Sequence, residues 1–299
     1  MEATTIVIPA YNEGQAIGVV LEQLSEVASC TGAPCEIIVV DDGSRDATVE
    51  IAERFDGVAV LRHRENRGYG AAIKTGIRHA QHDLICITDA DGTYPGERIP
   101  DLVAHLVEGK YDMVIGARVG EKVSIPLARR PAKWAIGRLA GYVAGAPIPD
   151  LNSGLRIFRR DVALRLLRML PDQFSFTTTI TLAMQVNGYL VDYVPINYYA
   201  RVGRSKIRPV QDTLNFVQLV LRIGLYFAPL KVFLPVSIVL MLLATAWALF
   251  SKFVLGKLAD VSTLVIAMTG FQVAVIGMLA ELINQRMPNY YVEGADDRP

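Results

Sequence analysis

"CITDADGTYP", Cys86–Pro95, closes an apolar run with two aspartates on either side of an alanine. Taken back to Leu84, the stretch "LICITDAD" reads as a buried strand that ends in two carboxylates. Side chains at i and i+2 of a strand point the same way, so Asp89 and Asp91 would face one spot and repel each other there. A divalent cation turns that repulsion into attraction. Mg²⁺ and Mn²⁺ prefer carboxylate oxygens, often with substrate phosphates completing the shell. The bland alternative is that one aspartate caps a helix starting near Gly96, and the pair by itself does not choose between the two.

Working outward, residues 1 to 208 alternate strand and helix signals. "TTIVIPA", "EIIVVDD", "VAVLRH", "LICITDAD" and "MVIGAR" read as strands. Ala16 to Ser29, "SRDATVEIAERF" and "NRGYGAAIKTGIRHA" read as helices, the second opening on capping residues. Continuous apolar strands alternating with helices indicate an α/β domain with a mostly parallel, Rossmann-like sheet covered on both faces. In such sheets ligands bind outside the carboxyl ends of the strands. The polar residues at those ends are Asn12 and Glu13, Asp41 and Asp42, Asp89 and Asp91, and Arg118.

The chain has 299 residues, with 30 Lys and Arg against 30 Asp and Glu. A net charge of zero offers no nucleic-acid surface. The mean hydropathy is +0.31, and the apolar excess gathers near the C-terminus. Val232 to Ser251 and Val261 to Ala280 carry no charge. Each is about 20 residues, enough at about 1.5 Å per residue to cross a hydrocarbon core of about 30 Å. With "KFVLGKLAD" between them they predict an α-helical membrane hairpin. "AKWAIGRLAGYVAGA" and "VQDTLNFVQLVLRIGLYFA" are amphipathic and read as helices at the membrane interface. The expected organisation is a catalytic domain over 1–208, an interface helix over 209–230, the hairpin over 231–285 and a tail over 286–299. "MEATTIVIPA" has no basic n-region and no long apolar stretch, which places the N-terminal part in the cytosol and the protein in the plasma membrane. Arg201, Arg204, Lys206 and Arg208 bias the charge the same way. Cys30, Cys35 and Cys86 show no metal or redox spacing. Gly270, Ala274 and Gly277 give the second span a small-residue face that permits a homo-oligomer.

Six stretches occur in order: "VIPAYNE", "VVDDGSRD", "DADGTYP", "VIGAR" and, further on, "PDLNSGLRIFRR" and "YYARVGRSKI". Together they resemble glycosyltransferase family 2, whose members share the GT-A fold. The later stretches are similar to polyprenyl-phosphate glycosyltransferases of the dolichol-phosphate mannose synthase type. The resemblance covers residues 4 to 208, with a two-span C-terminus like the bacterial members. It implies that Pro9, Tyr11 and Glu13 line a nucleotide pocket and that Asp42, with Asp41, hydrogen-bonds the base or ribose. Asp89, Ala90 and Asp91 would form the D-x-D stretch, with Asp91 the direct ligand of Mg²⁺ or Mn²⁺. Arg118 would bind phosphate. Arg130 would bind the lipid phosphate, with Lys133 standing where many relatives carry Ser. Arg201 and Lys206 would clamp phosphates. Where some relatives carry Gln at the metal, this chain has Thr93.

The implied reaction is inverting transfer of one sugar from a UDP- or GDP-linked donor to a polyprenyl phosphate at the cytosolic membrane face. A phosphate acceptor is mostly ionised at pH 7, since its second pKa is about 6, so a strong base is less needed. Asp150 in "PDLNSG" is then a base, an orienting group, or a turn residue after Pro149. Three rivals stand beside this reading. A processive polysaccharide synthase would carry Q-x-x-R-W, which is absent. A dinucleotide oxidoreductase is suggested by "RGYGAAIKTG", but Gly68, Gly70 and Gly76 miss G-x-G-x-x-G spacing. The third is a membrane-anchored binding protein without catalysis.

Overall fold

The computed structural model describes residues 2–30, 32–118, 137–138, 140–173, 175–199, 218, 221–222, 224–226, 228–257 and 259–286. Arg130, Lys133, Arg201 and Lys206 lie outside these, as does most of the expected interface helix. The chain folds as two compact units, Met1–Asp212 and Thr213–Pro299.

The first unit is built on a 7-stranded sheet. Its strands are β1 (Thr4–Ala10), β2 (Cys35–Asp41), β3 (Val58–Arg62), β4 (Leu84–Ile87), β5 (Met113–Ala117), β6 (Arg156–Arg159) and β7 (Val191–Pro195). The spatial order is β3-β2-β1-β4-β6-β5-β7. All pairings are parallel except those of β6, which runs antiparallel to both β4 and β5. Helices α1 (Ile17–Cys30), α2 (Thr48–Ala52), α3 (Tyr69–His79), α4 (Ile99–Glu108), α5 (Arg160–Leu166) and α6 (Phe176–Val186) connect the strands.

Period-two alternation sorts the strand residues between two faces. Ile6, Ile8, Ile37, Val39, Leu84 and Cys86 share one core with Ile17, Leu21 and Leu24 of α1 and with Leu102, Val103 and Leu106 of α4. Each such side chain, fully buried, contributes about 1.5–3 kcal/mol. The other face takes α3. There Gly76 lets the helix lie on β1, since a Cβ on it would sit 2.3 Å from Val7 Cγ1.

The second unit holds α7 (Pro229–Val254) and α8 (Asp260–Arg286), both long and apolar enough to cross a membrane. A core helix of a soluble protein would be mostly buried, whereas only 11% of each apolar window is buried here. The two helices pack as a hairpin. Ser237 Oγ donates to the Gly270 carbonyl at 2.8 Å, and a Cβ on Gly277 would lie 2.6 Å from Phe233 Cβ. Gly270 and Gly277, read from sequence as part of a small-residue face for helix packing, pack against the first helix of the hairpin.

Candidate active site

Strand order fixes where a ligand can enter. From β1 the chain steps outward to β2 and β3, then returns to place β4 on the other side of β1. Such a reversal opens a crevice at the carboxyl ends of the strands. Because β6 runs the other way, the segment leading into it, Asp150 to Leu155, arrives at that same edge. The edge therefore collects Tyr11 to Glu13, Asp41 and Asp42, Asp89 to Asp91, Arg118 and Asp150.

At the β1–β2–β3 end is a cavity of about 270 Å³ lined by Tyr11, Asp41, Ser44, Arg45, Arg62, His63, Arg64 and Asn66, among others. Tyr11 is 41% exposed, so its ring is free to meet a planar group. Pro9 is buried inside β1, paired with Val40. Glu13 is half-buried beside α2, its amide donating to Thr48 Oγ1 at 2.9 Å. The adjacent aspartates divide. Asp41 lines the cavity while accepting the Ser44 amide at 3.2 Å. Asp42 points into protein, accepting the amides of Arg67 at 2.9 Å and Gly68 at 2.8 Å and contacting His63 Nδ1 at 2.7 Å. Of the two aspartates to which the resemblance assigns the base or ribose, Asp41 is the one that lines this cavity. His63 bridges Asp42 to Thr75 Oγ1 of α3 at 2.9 Å while lining the cavity.

The acidic pair stands beyond the strand, because β4 ends at Ile87 and the aspartates occupy the following turn. Strand alternation is therefore not what brings them together. In the turn, Asp91 Oδ1 accepts the Thr93 amide at 3.1 Å and its hydroxyl at 2.7 Å, an Asx-type arrangement. No side chain caps the short 3₁₀ turn Gly96–Arg98 or α4, so neither aspartate is a helix cap. Asp89 Oδ1 accepts the Tyr69 hydroxyl at 2.8 Å. Burial, and after it the charge of Asp91, push the Asp89 carboxyl up to about 6. That mutual repulsion is what a cation would relieve. Among the described residues no group of three His, Cys, Asp or Glu is placed for a metal. Two carboxylates leaving the remaining positions to water and phosphate fit Mg²⁺ or Mn²⁺, which keep several such ligands, better than a fully protein-caged metal. Thr93 spends its hydroxyl on Asp91 and supports the ligand from behind.

Arg118 and Asp150 form one unit. Arg118 donates its amide and Nε to Asp150 Oδ2 at 2.9 and 2.8 Å, and Nη2 to Oδ1 at 2.9 Å. Burial pushes the Asp150 carboxyl up, but the hydrogen bonds and charge of Arg118 outweigh it and hold it below its usual range. Burial likewise works against the Arg118 charge, and the Asp150 bond overcomes it. Arg118 also lies 5.2 Å over the Tyr198 ring, which meets Tyr94 edge-on at 5.4 Å. A carboxylate so engaged is a poor proton acceptor and a good orienting group. Beneath the edge Arg156 is fully buried and, among the described residues, donates to neutral acceptors: the Ser153 and Thr177 carbonyls and Thr181 Oγ1. Sequence reading singled out neither Arg156 nor Tyr69, although both lie inside quoted stretches.

A doubly wound sheet with an acidic turn, an oriented arginine and a cavity of about 270 Å³ along one edge defines an α/β protein with its ligand crevice at the carboxyl ends of the strands. The chain belongs to glycosyl transferase family 2, whose pattern matches residues 5–167. It is therefore a glycosyltransferase. Residues 228–285 match a second pattern, the GtrB C-terminal hairpin. A dolichyl-phosphate hexose transferase of Haloferax volcanii is 32% identical over 68% of this chain and 86% of its own length. A dodecaprenyl-phosphate galacturonate synthase of Rhizobium johnstonii is 27% identical over 96% of this chain and 91% of its own. The crystal structure of glucosyl-3-phosphoglycerate synthase from Mycobacterium tuberculosis with Mn²⁺, UDP-glucose and phosphoglyceric acid matches with a TM-score of 0.57. It is 20% identical over 74% of this chain and 79% of that one, a likeness of fold.

Proposed function

We propose that this chain transfers a single sugar from a UDP- or GDP-linked donor to a polyprenyl phosphate, with inversion, at the cytosolic face of the plasma membrane. The observation that carries the donor half is the order of features along one edge. A nucleoside-sized cavity at β1–β3 is followed by the acidic turn after β4 and then by Arg118 after β5. A nucleoside diphosphate sugar laid along that edge has its base in the cavity and its diphosphate over the acids. The acceptor half is supported by relatives named for transfer to dolichyl and dodecaprenyl phosphates and by a C-terminal hairpin able to hold the chain at a membrane.

Tyr11 stacks on the base and Asp41 accepts its hydrogen bonds. Asp91, assisted by Asp89, holds Mg²⁺ or Mn²⁺, which when bound offsets charge developing on the departing diphosphate. Arg118, held rigid by Asp150, aims a fixed positive charge at the same oxygens and needs no reorganisation during the reaction. A phosphate oxygen of the acceptor forms the new bond to the anomeric carbon. The bond from that carbon to the donor's β-phosphate oxygen breaks, and its electron pair leaves with the nucleoside diphosphate. The acceptor is already mostly ionised at pH 7, so no proton has to be removed and Asp150 is not required as a base. Arg130, Lys133 and Arg201 are proposed for the lipid phosphate, and Arg201 and Lys206 for closing over the donor.

The test is turnover of labelled UDP- and GDP-sugars with polyprenyl phosphate and with the matching polyprenol. Transfer to the phosphate alone is expected. Equal rates with the free alcohol would remove the phosphate as nucleophile.

A further inference from the structure

Asp89 meets two groups outside the acidic turn. Tyr69 Oη donates to Oδ1 at 2.8 Å. The backbone of Gly154 lies close against the carboxylate: a Cβ there would lie 2.6 Å from Oδ2 and 2.8 Å from both Cγ and Oδ1. Gly154 is itself fixed, its amide donating to Tyr94 Oη at 2.6 Å.

The start of α3, which carries Tyr69, is fastened with similar care. Arg67 and Gly68 donate their amides to Asp42. On the other side the turn meets the loop before α6, where the Ala71 amide donates to the Asp172 carbonyl at 2.9 Å and Lys74 Nζ reaches Asp172 at 2.7 Å. Gly68 has φ +106° and would place a Cβ 2.4 Å from the Asp172 carbonyl oxygen, and Gly70 would place one 2.2 Å from that of Pro171. Only glycine fits at either position, which accounts for the "RGYG" spacing that fails as a dinucleotide motif. Tyr69 is the one side chain of that turn directed at the acids.

We propose that Tyr69 is a positioning residue of the acidic pair, its hydroxyl fixing the Asp89 carboxylate so that Asp89 and Asp91 present to one divalent cation. The proposal rests on the reading of this pair as the cation site. A ligating carboxylate is commonly oriented by a hydrogen-bonded neighbour, and loss of such a neighbour costs roughly 10–100-fold in metal affinity or activity.

The experiment titrates Mn²⁺ alone into the full-length protein in detergent, following free Mn²⁺ by electron paramagnetic resonance. No donor or acceptor is present. Tyr69→Phe keeps the ring and removes only the hydroxyl, so it is expected to raise the Mn²⁺ Kd about tenfold, while Asp91→Asn abolishes binding. Tyr193→Phe removes a half-buried hydroxyl on β7 that accepts from Gln185 Nε2 at 3.4 Å, so it controls for a general effect of losing a tyrosine hydroxyl. A wild-type Kd in Tyr69→Phe beside loss of binding in Asp91→Asn overturns the role of Tyr69 and leaves the cation site standing. An equal loss in Tyr69→Phe and Tyr193→Phe overturns it as well. Unchanged binding in Asp91→Asn removes the cation site itself, and this proposal with it.

Discussion

Asp150 is the residue whose chemistry the structure redefines most. Within "PDLNSG" it read as a base, an orienting group or a turn residue, and three hydrogen bonds from Arg118 make it an anchor. A buried ion pair broken on one side is strongly destabilising, because the other charge is left uncompensated. Asp150→Asn is therefore expected to lower stability at pH 7 by about 3 kcal/mol, read by chemical denaturation of the detergent-solubilised protein. The sign with pH follows from the depressed carboxyl. The pair's contribution is complete above the ordinary value of 3.8 and is lost as pH falls through the lower folded value. The gap between wild type and variant should hold from pH 8 to pH 5 and close only in strong acid. A gap that closes near pH 6 would contradict the assignment. The acids at the strand ends were visible in the sequence because carboxylates after apolar runs stand out. Tyr69 and Arg156 were not, since Asp89 on the one hand and Thr177 and Thr181 on the other lie 20 to 25 positions away. Arg156→Met should cost about 3 kcal/mol or more, with buried Ser153, Thr177 and Thr181 oxygens losing their donor at about 1–3 kcal/mol each. A melting temperature within a degree of wild type would show that those oxygens find other partners.

Five strands announce themselves as apolar runs, and each forms close to where it was read. β6 and β7 do not. "RIFR" begins with an arginine whose guanidinium is buried, and "VDYVP" mixes an acid with a terminal proline suited to a sheet edge. The missing β6 matters because it delivers Asp150 to Gly154 to the catalytic edge from the opposite direction. The site could be anticipated as a set of strand ends but not as a closed ring of contacts. The helices fared better, since α3 falls within the stretch read for it and α1 runs one residue past the end of its own. The close seat of α3 on β1 makes a sharp prediction. Gly76→Ala drives a methyl into Val7 and should cost about 1–3 kcal/mol. Val7→Ala alone opens space and destabilises through lost burial. The two together should be less destabilising than the sum of the single effects, since the new methyl fills room that the valine vacates. Strict additivity in denaturant melts would mean that α3 does not rest on Val7.

Composition shifts past residue 208, and the chain forms two compact units, Met1–Asp212 and Thr213–Pro299. Composition could not say what the small residues of the second span are for, because packing inside a hairpin and packing against another chain use the same residues. Function divides along the same line. The cavity, the acidic turn and the Arg118–Asp150 pair all belong to Met1–Asp212, while the apolar helices belong to Thr213–Pro299. A lipid acceptor brings its own long chain into the bilayer, so holding the enzyme there raises the effective concentration of the phosphate without any added contact. The full-length protein should remain in the membrane pellet after an alkaline carbonate wash, and a chain ended at Asp212 should be released. That shortened chain should still bind Mn²⁺ and nucleoside diphosphate with wild-type affinity. Its transfer to a long polyprenyl phosphate in vesicles should fall by two orders of magnitude or more, consistent with effective-concentration gains of about 10²–10⁴. With a short, water-soluble prenyl phosphate the two forms should differ far less. If the shortened chain lost nucleotide binding as well, the hairpin would be serving the fold of the catalytic unit, and the division of labour argued from the two bodies would be wrong.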